Sequence, residues 1–410
     1  MSGSSMDRLG STHNLFAICS PGLELITARE LGQLGLAATP FPPDVLREEA
    51  GGVECRGSPH DLYRANLHLR TASRILVRLG TFFAAAFPEL RKKSSRLSWE
   101  EFLVPGQPVA LRVACHRSRL YHQGAVAERI VGAIADRLGQ SSPVLKLSDI
   151  ENDREDSPQL ILVRLKDDQC TISVDSSGPL LHRRGYRLAT AKAPLRETVA
   201  AAILLASGWN TTSPLLDPFC GSGTIPIEAA LMAKKIPPGR NRRFAFMGWP
   251  NFDRVVWKRL LGDTKAAPIS SLPKLIGSDR DAGAIRVAQT NAERAGVADC
   301  IDFTCRALSA IEPLPTSGWV VTNPPYGVRV SAHRDLRNLY AQIGKVLRSA
   351  CPGWNMAILC NSIALLRHTG LAFDKSTPLT NGGLKVRLAM GKISQPREFW
   401  QTGRGVSLKL

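Results

Sequence analysis

The sequence predicts an α/β protein whose larger C-terminal part is a doubly wound parallel sheet and whose N-terminal part is a smaller α+β region. Three observations carry this. From Pro214 onward, short continuous apolar runs alternate with helical segments, the pattern of strands buried on both faces. One run, Leu215-Leu216, ends in Asp217-Pro218-Phe219-Cys220-Gly221-Ser222-Gly223-Thr224 and passes directly into a helix. Before Pro214 the strands alternate apolar and polar residues, and at 410 residues the chain is long enough for about two or three domains.

Taken in order, residues 1–13 are small and polar, and Leu-Phe-Ala-Ile-Cys from Leu15 reads as a strand. Pro21-Gly22 opens a helix over 23–34, Phe41-Pro42-Pro43 is a loop, 51–55 is a short strand, and a helix runs from Ser58 or Pro59 to Asn66. Strands follow at 74–79 and 108–114, then a basic turn at 115–122. Val126, Ile130, Val131, Ile134 and Leu138 fall on one helical face, which Gly139 ends. The acidic stretch 151–156 reads as a solvated loop before a hairpin formed by 159–164 and 170–174. A basic linker leads to a helix over 195–207, with Pro194 at its start, where a missing N–H costs nothing. The apolar runs of the second part are 215–216, 275–276, 301–303, 319–322 and 356–359, with helices over 225–234 and 282–295 and a Pro- and Arg-rich insertion over 236–274.

The net charge of +18 and pI near 9.9 point to a polyanionic partner. Residues 1–190 hold 24 Lys and Arg against 21 Asp and Glu, whereas residues 191–410 hold 29 against 14, so the excess lies in the second half. Nine cysteines without a Cys-x-x-Cys pair fit reduced thiols in the cytoplasm and argue against zinc. The start has no apolar leader core, and no run of about 18 apolar residues would span a membrane.

Two motifs carry chemistry. The glycines after Asp217 let the backbone turn sharply and approach a ligand. A dinucleotide fingerprint would place a third glycine where Pro226 stands, and no P-loop lysine follows. Asp279, at the end of the next strand, suits the two hydroxyls of a ribose, or caps the following helix, a task Asp281 fits better. The second motif is Asn323-Pro324-Pro325-Tyr326 at the end of the run 319–322. Each proline fixes φ near about −65° and removes a donor, leaving carbonyls and the Asn323 amide to face a ligand. A flat conjugated amine fits there, bonded at its NH2 and stacked on Tyr326.

Together these motifs resemble motifs I and IV of the S-adenosylmethionine-dependent methyltransferases that act on exocyclic amines of bases. The tracts His116-Arg-Ser-Arg-Leu-Tyr121, Leu181-His-Arg-Arg-Gly-Tyr-Arg187, Ala193-Pro-Leu-Arg-Glu-Thr198 and Arg242-Arg-Phe-Ala-Phe246 narrow the resemblance to the RlmL/YpsC-type rRNA guanine-N2 methyltransferases, over residues 15–396. The resemblance implies a ferredoxin-like region (1–66), a THUMP RNA-binding domain (67–178), a linker and helix (179–212), a Rossmann-like class I methyltransferase domain with a mostly parallel seven-stranded sheet (213–396) and a tail (397–410). It implies S-adenosyl-L-methionine as cofactor, lined by Asp217, Pro218, Phe219, Cys220, Gly221, Gly223, Thr224 and Asn323, with Asp279 and its neighbour Arg280 at the ribose. Asn323, Pro324, Pro325 and Tyr326 are the implied catalytic loop.

Relatives carry an acid at the end of the fourth strand for the adenine amine, but Thr304-Cys305-Arg306-Ala307-Leu308 has none, so either the backbone at Arg306 and Ala307 holds the adenine or affinity is lower. The expected RNA contacts are His116, Arg117 and Arg119 in the basic turn, His182, Arg183, Arg184, Arg187 and Lys192 in the linker, and Arg242 and Arg243 in the insertion.

The expected activity is methylation of guanine N2 in large-subunit rRNA by a cytoplasmic, metal-free protein, with a monomer favoured. A tRNA guanine, a nucleic-acid adenine N6, or a non-catalytic RNA-binding assembly factor are the alternatives.

Overall fold

The computed structural model describes residues 12–40, 51–148, 157–187, 195–264, 272–314, 317–326 and 333–394. Its first half is organised on one seven-stranded sheet. The strands are β1 (His13–Cys19), β2 (Ala38–Pro40), β3 (Gly52–Gly57), β4 (Ala72–Phe83), β5 (Val109–His116), β6 (Gln159–Lys166) and β7 (Gln169–Asp175), in the order β2-β3-β1-β4-β7-β6-β5. All neighbours are antiparallel except β5 and β6. The long β4 pairs with β1 on one side and β7 on the other, so the two parts of this half share a single sheet.

Helices α1 (Glu24–Gln33), α2 (Pro59–His68), α3 (Phe87–Ser94) and α4 (Gln123–Leu138) accompany this sheet. Ser58 and Asp61 form a reciprocal cap on α2, and Gly139 ends α4 with φ +76°.

The second sheet has the order β10-β9-β8-β11-β12-β14-β13. Its strands are β8 (Leu215–Asp217), β9 (Leu275–Asp279), β10 (Ile301–Cys305), β11 (Trp319–Thr322), β12 (Asn355–Cys360), β13 (Lys375–Asn381) and β14 (Leu384–Lys392). The five from β10 to β12 are parallel, and β14 and β13 close the edge antiparallel. The helices are α5 (Glu197–Ser207), α6 (Thr224–Ala233), α7 (Arg254–Asp263), α8 (Ala282–Ala295), α9 (His333–Ala350) and α10 (Ile363–His368). Every residue of α6 is buried, as expected of a helix held between its sheet and its neighbours. From β8 the chain first builds β9 and β10 on one side, then crosses to β11 on the other. The carboxyl ends of β8 and β11 therefore flank the topological switch point, where open α/β sheets bind ligands.

The insertion 236–274 is more structured than its composition implies. Phe244, Phe246, Trp249 and Trp257 are buried in the hydrophobic core of the first half. Phe246 stacks on Tyr63 at 4.6 Å between ring centroids, and the Trp249 indole N–H donates to Gln159 at 2.8 Å. The second half thus sends an aromatic clasp into the first sheet's core. Helices α3, α7, α9 and α10 and the β13–β14 hairpin are absent from the sequence-based reading. The acidic stretch 151–156, Pro194 and the tail 397–410 lie outside the described residues. Among the described residues no helix is long and apolar enough to cross a membrane, and no group of three or more His, Cys, Asp or Glu could hold a metal ion.

Candidate active site

At the end of β8 the Asp217 carboxylate is buried and accepts from the Phe219 amide at 3.1 Å and the Thr322 hydroxyl at 2.7 Å. Thr322 is the last residue of β11, so this one carboxylate joins the glycine turn to the strand that leads into Asn323. Burial, helped by the negative charge of Asp279, pushes the Asp217 carboxyl up to about 7, although both hydrogen bonds oppose the rise.

The turn itself is fixed by its backbone. Cys220 N donates to Ser278 O at 3.0 Å, and Gly221 N to the Asp279 carboxylate at 3.0 Å. Gly223 has φ +82°, and a Cβ there would come within 3.0 Å of Ala288 and of the Phe303 ring, so glycine is needed both for conformation and for close approach. Thr224 follows at the start of α6, with Pro218 buried and Phe219 packed against the neighbouring core.

Asp281 caps α8 by accepting from Gly283 and Ala284. That leaves Asp279 at the strand end, where it accepts from Gly221 N and Asp281 N. Arg306 N donates to Asp279 O at 2.9 Å, which brings the end of β10 beside Asp279, with Ala307 exposed next to it. The Arg280 side chain is exposed. Asp217, the glycine turn, Asp279, Arg306 and Asn323 therefore line one edge of the sheet, at the carboxyl ends of four adjacent strands.

Asn323 Oδ1 is buried and has no hydrogen-bond partner among the described residues. Pro324 is buried and Pro325 exposed. The loop is braced from outside: Tyr340 of α9 donates to Pro325 O at 3.4 Å, and Asn381 donates to the Tyr326 hydroxyl at 3.4 Å. The Tyr326 ring is partly buried between two hydrophobic clusters, and burial raises its hydroxyl above the ordinary phenol range. Neither Thr322, Tyr340 nor Asn381 stood out in the sequence; only Thr322, at a strand end beside the motif, carried a local signal.

The basic candidates divide into surface and interior. His116, Arg117, Arg119, Arg183 and Arg243 are exposed. Arg117 and Arg119 pair with Asp167 and Asp168 of the β6–β7 turn. Arg184 is not a surface residue. It is buried, donates to Leu181 O and Arg70 O, and lies 3.5 Å from Glu228.

Arg187 donates to Leu195 O and Thr224 Oγ1 and pairs with Glu197. Arg242 donates to the carbonyls of Pro179, Leu180 and Arg183. His182 is largely buried, and burial followed by the surrounding arginines lowers its pKa to about 3. The three arginines hold the linker and insertion in place, because backbone carbonyls and buried acids take up most of their donors, whereas His182 Nδ1 is buried with no hydrogen-bond partner among the described residues. Lys192 lies outside the described residues.

Residues 184–389 match the family described as RMKL-like, methyltransferase domain, and residues 14–76 match the RlmL ferredoxin-like domain. A Synechocystis sp. protein provisionally named RNA methyltransferase slr0064 is 34% identical over 380 residues, covering 92% of this chain and 96% of that one. The chain belongs to the RMKL-like methyltransferase family.

Within the family, the ribosomal RNA large subunit methyltransferase K/L of Syntrophotalea carbinolica is 36% identical over 397 residues, 94% of this chain but 54% of that protein. The chain spans about half the length of the K/L relatives it matches. The crystal structure of SMU.472, provisionally a methyltransferase and complexed with SAH, superposes with a TM-score of 0.80 at 31% identity, covering 94% of this chain and 99% of that one.

Proposed function

We propose that this protein transfers a methyl group from S-adenosylmethionine to the exocyclic N2 amine of a guanine in large-subunit ribosomal RNA. The observation that carries the reading is the buried Asn323 Oδ1 just past the end of β11, which has no hydrogen-bond partner among the described residues. A buried acceptor without a donor costs about 1–3 kcal/mol, a cost that an incoming amine would relieve. The glycine turn and Asp279 sit on adjacent strand ends beside the topological switch point, which supports this edge as the cofactor's place. The cofactor supplies an electrophilic methyl on a positively charged sulfur. The K/L relatives, named for large-subunit rRNA, and the excess positive charge favour RNA as the acceptor.

The chain's own residues have three tasks. Asn323 Oδ1 and the Pro324 carbonyl accept from the amine, draw its delocalised lone pair toward tetrahedral geometry and fix its direction. Tyr326 offers a ring to the base, a contact worth about 1–3 kcal/mol. The turn at Gly221–Gly223 and Asp279 orient the donor. Positioning of this kind supplies about 7–11 kcal/mol without a metal or a covalent intermediate. Base edges of helical RNA are hidden, so the target guanine is one that is looped or flipped out.

The test is to incubate the protein with unmodified total RNA and labelled S-adenosylmethionine, digest the RNA and identify the methylated nucleoside. N2-methylguanosine from large-subunit rRNA is expected, with turnover lost in Asn323→Ala while RNA binding persists. Unchanged turnover in Asn323→Ala, or label in another nucleoside, refutes the reading.

A further inference from the structure

The tip of the β13–β14 hairpin lies beside the acceptor loop. β14 runs antiparallel to β12 with Cys360 opposite Arg387, so residues 384–386 continue past the carboxyl end of β12, toward the edge that carries the site. The turn closes through Gly382 and Gly383, with φ +56° and +85°, and sets Asn381 opposite Leu384. Such a two-residue turn with both glycines left-handed matches the twist of the flanking strands. It presents the Asn381 amide to the Tyr326 hydroxyl at 3.4 Å, across 55 residues of sequence. On the other side of the loop, Tyr340 bonds Pro325 O. The tyrosine ring is therefore fixed at its far end by an element that belongs neither to the loop nor to the parallel sheet.

We infer that Asn381 is a positioning residue that sets the plane of Tyr326 against the acceptor base, and that the hairpin tip is the outer wall of the acceptor site. This rests on the acceptor-loop reading above. Tyr326 is attached to the chain through a loop whose prolines cannot anchor it by N–H bonds. Its ring is half-buried, so χ1 is limited by packing, but the hydroxyl end is set only by the Asn381 amide among the described residues. A ring that rocks stacks less well and aims the amine less well. Loss of Asn381 therefore acts on the RNA step and leaves the cofactor step unchanged. Exposed Leu384 and Lys385, at the same tip, place an apolar surface and a cation where the flanking nucleotides enter.

The test has two arms. In the first, the protein is labelled with 3-fluorotyrosine; the chain has 5 tyrosines, and the Tyr326 resonance is identified by its absence in Tyr326→Phe. Asn381→Ala should shift or broaden that line without RNA present. In the second, kcat and KM for RNA are measured for Asn381→Ala, Tyr326→Phe, the double variant and Asn381→Asp. Asn381→Ala should lower kcat/KM for RNA by about five- to tenfold, the loss of one hydrogen bond, with S-adenosylmethionine affinity unchanged. The double variant should be no worse than Tyr326→Phe alone, and Asn381→Asp, which can accept from the tyrosine hydroxyl, should recover most of the loss. A Tyr326 line indifferent to Asn381→Ala, or losses that add in the double variant, overturns the assignment. Turnover that survives Asn323→Ala instead defeats the acceptor-loop reading, and the fluorine arm still decides the Asn381 contact.

Discussion

Replacing Asp217 by Asn should stabilise the catalytic half at neutral and alkaline pH and have no such effect in acid. The carboxyl is 1% exposed, and among the described residues no lysine or arginine pairs with it. Its partners are a hydroxyl and an amide N–H, and Asp279 adds a second negative charge nearby. In the unfolded chain it loses its proton near 3.8, and in the folded protein only near about 7. Between those values the folded state binds more protons than the unfolded one, so stability must fall as pH rises.

The fall is about 1.4 kcal/mol per pH unit across roughly three units, or about 4 kcal/mol in total, and it is complete above about pH 7. Asn keeps an oxygen to accept from Thr322 and Phe219 and has no charge to desolvate. Amide hydrogen exchange of β8, β9 and β11, read at about pH 5 and about pH 8 and corrected for the intrinsic rate, isolates this half from the first. The Asn variant should gain on the wild type by about 3 kcal/mol between the two conditions, the part of the window from pH 5 to about 7. A stability difference that stays constant across that range, or that shrinks with rising pH, refutes the buried-carboxyl account.

The interior and surface arginines should separate in an RNA-binding assay. Arg119→Ala, on the exposed turn, should flatten the log–log salt dependence of RNA affinity by about one unit. Arg184→Ala should leave that slope unchanged and lower stability by about 3–5 kcal/mol, because Glu228 would lose a buried partner; a changed slope would place Arg184 back on the RNA surface. Gly239→Ala should loosen the aromatic clasp, because its Cβ would come within 2.8 Å of Asn66 O and 2.9 Å of Leu67 Cα. Overpacking against backbone costs about 1–3 kcal/mol, readable as a lower thermal midpoint and faster proteolysis within residues 236–264; an unchanged midpoint would show that the clasp yields freely.

What the sequence could convey was what is local along the chain. The strand, turn and helix from Leu215 to α6 are encoded within one short stretch, and so is the Asn-Pro-Pro-Tyr loop, because prolines and glycines act through the backbone of their own residues. Side-chain destinations are not local. Arg184 and Arg242 look like phosphate contacts beside Arg183 and Arg243, yet the carbonyls of Arg70 and Pro179 absorb them. The clasp had no periodicity to betray it, since Phe244, Phe246, Trp249 and Trp257 fill a core built by the other half of the chain. Asn381 was invisible for the same reason, being brought to Tyr326 only by the pairing of β14 with β12.

The linker's buried charges make more sense as a register device than as a source of stability. Arg70 of the first half lies against Glu228 of α6, Arg184 lies against the same acid, and Tyr186 donates to it at 3.2 Å. One turn earlier on α6, Thr224 receives Arg187, which also pairs with Glu197. Burying this many charges gains little net energy, and an apolar set of equal volume would serve as well or better for stability alone. What an apolar set cannot do is reject a shifted docking, since any slip would strand a buried ion. The network therefore fixes how the first half meets α6. Because Thr224 begins the helix that ends the glycine turn, the same contacts that set the orientation of the first half also hold the turn beside Asp217 and Asp279.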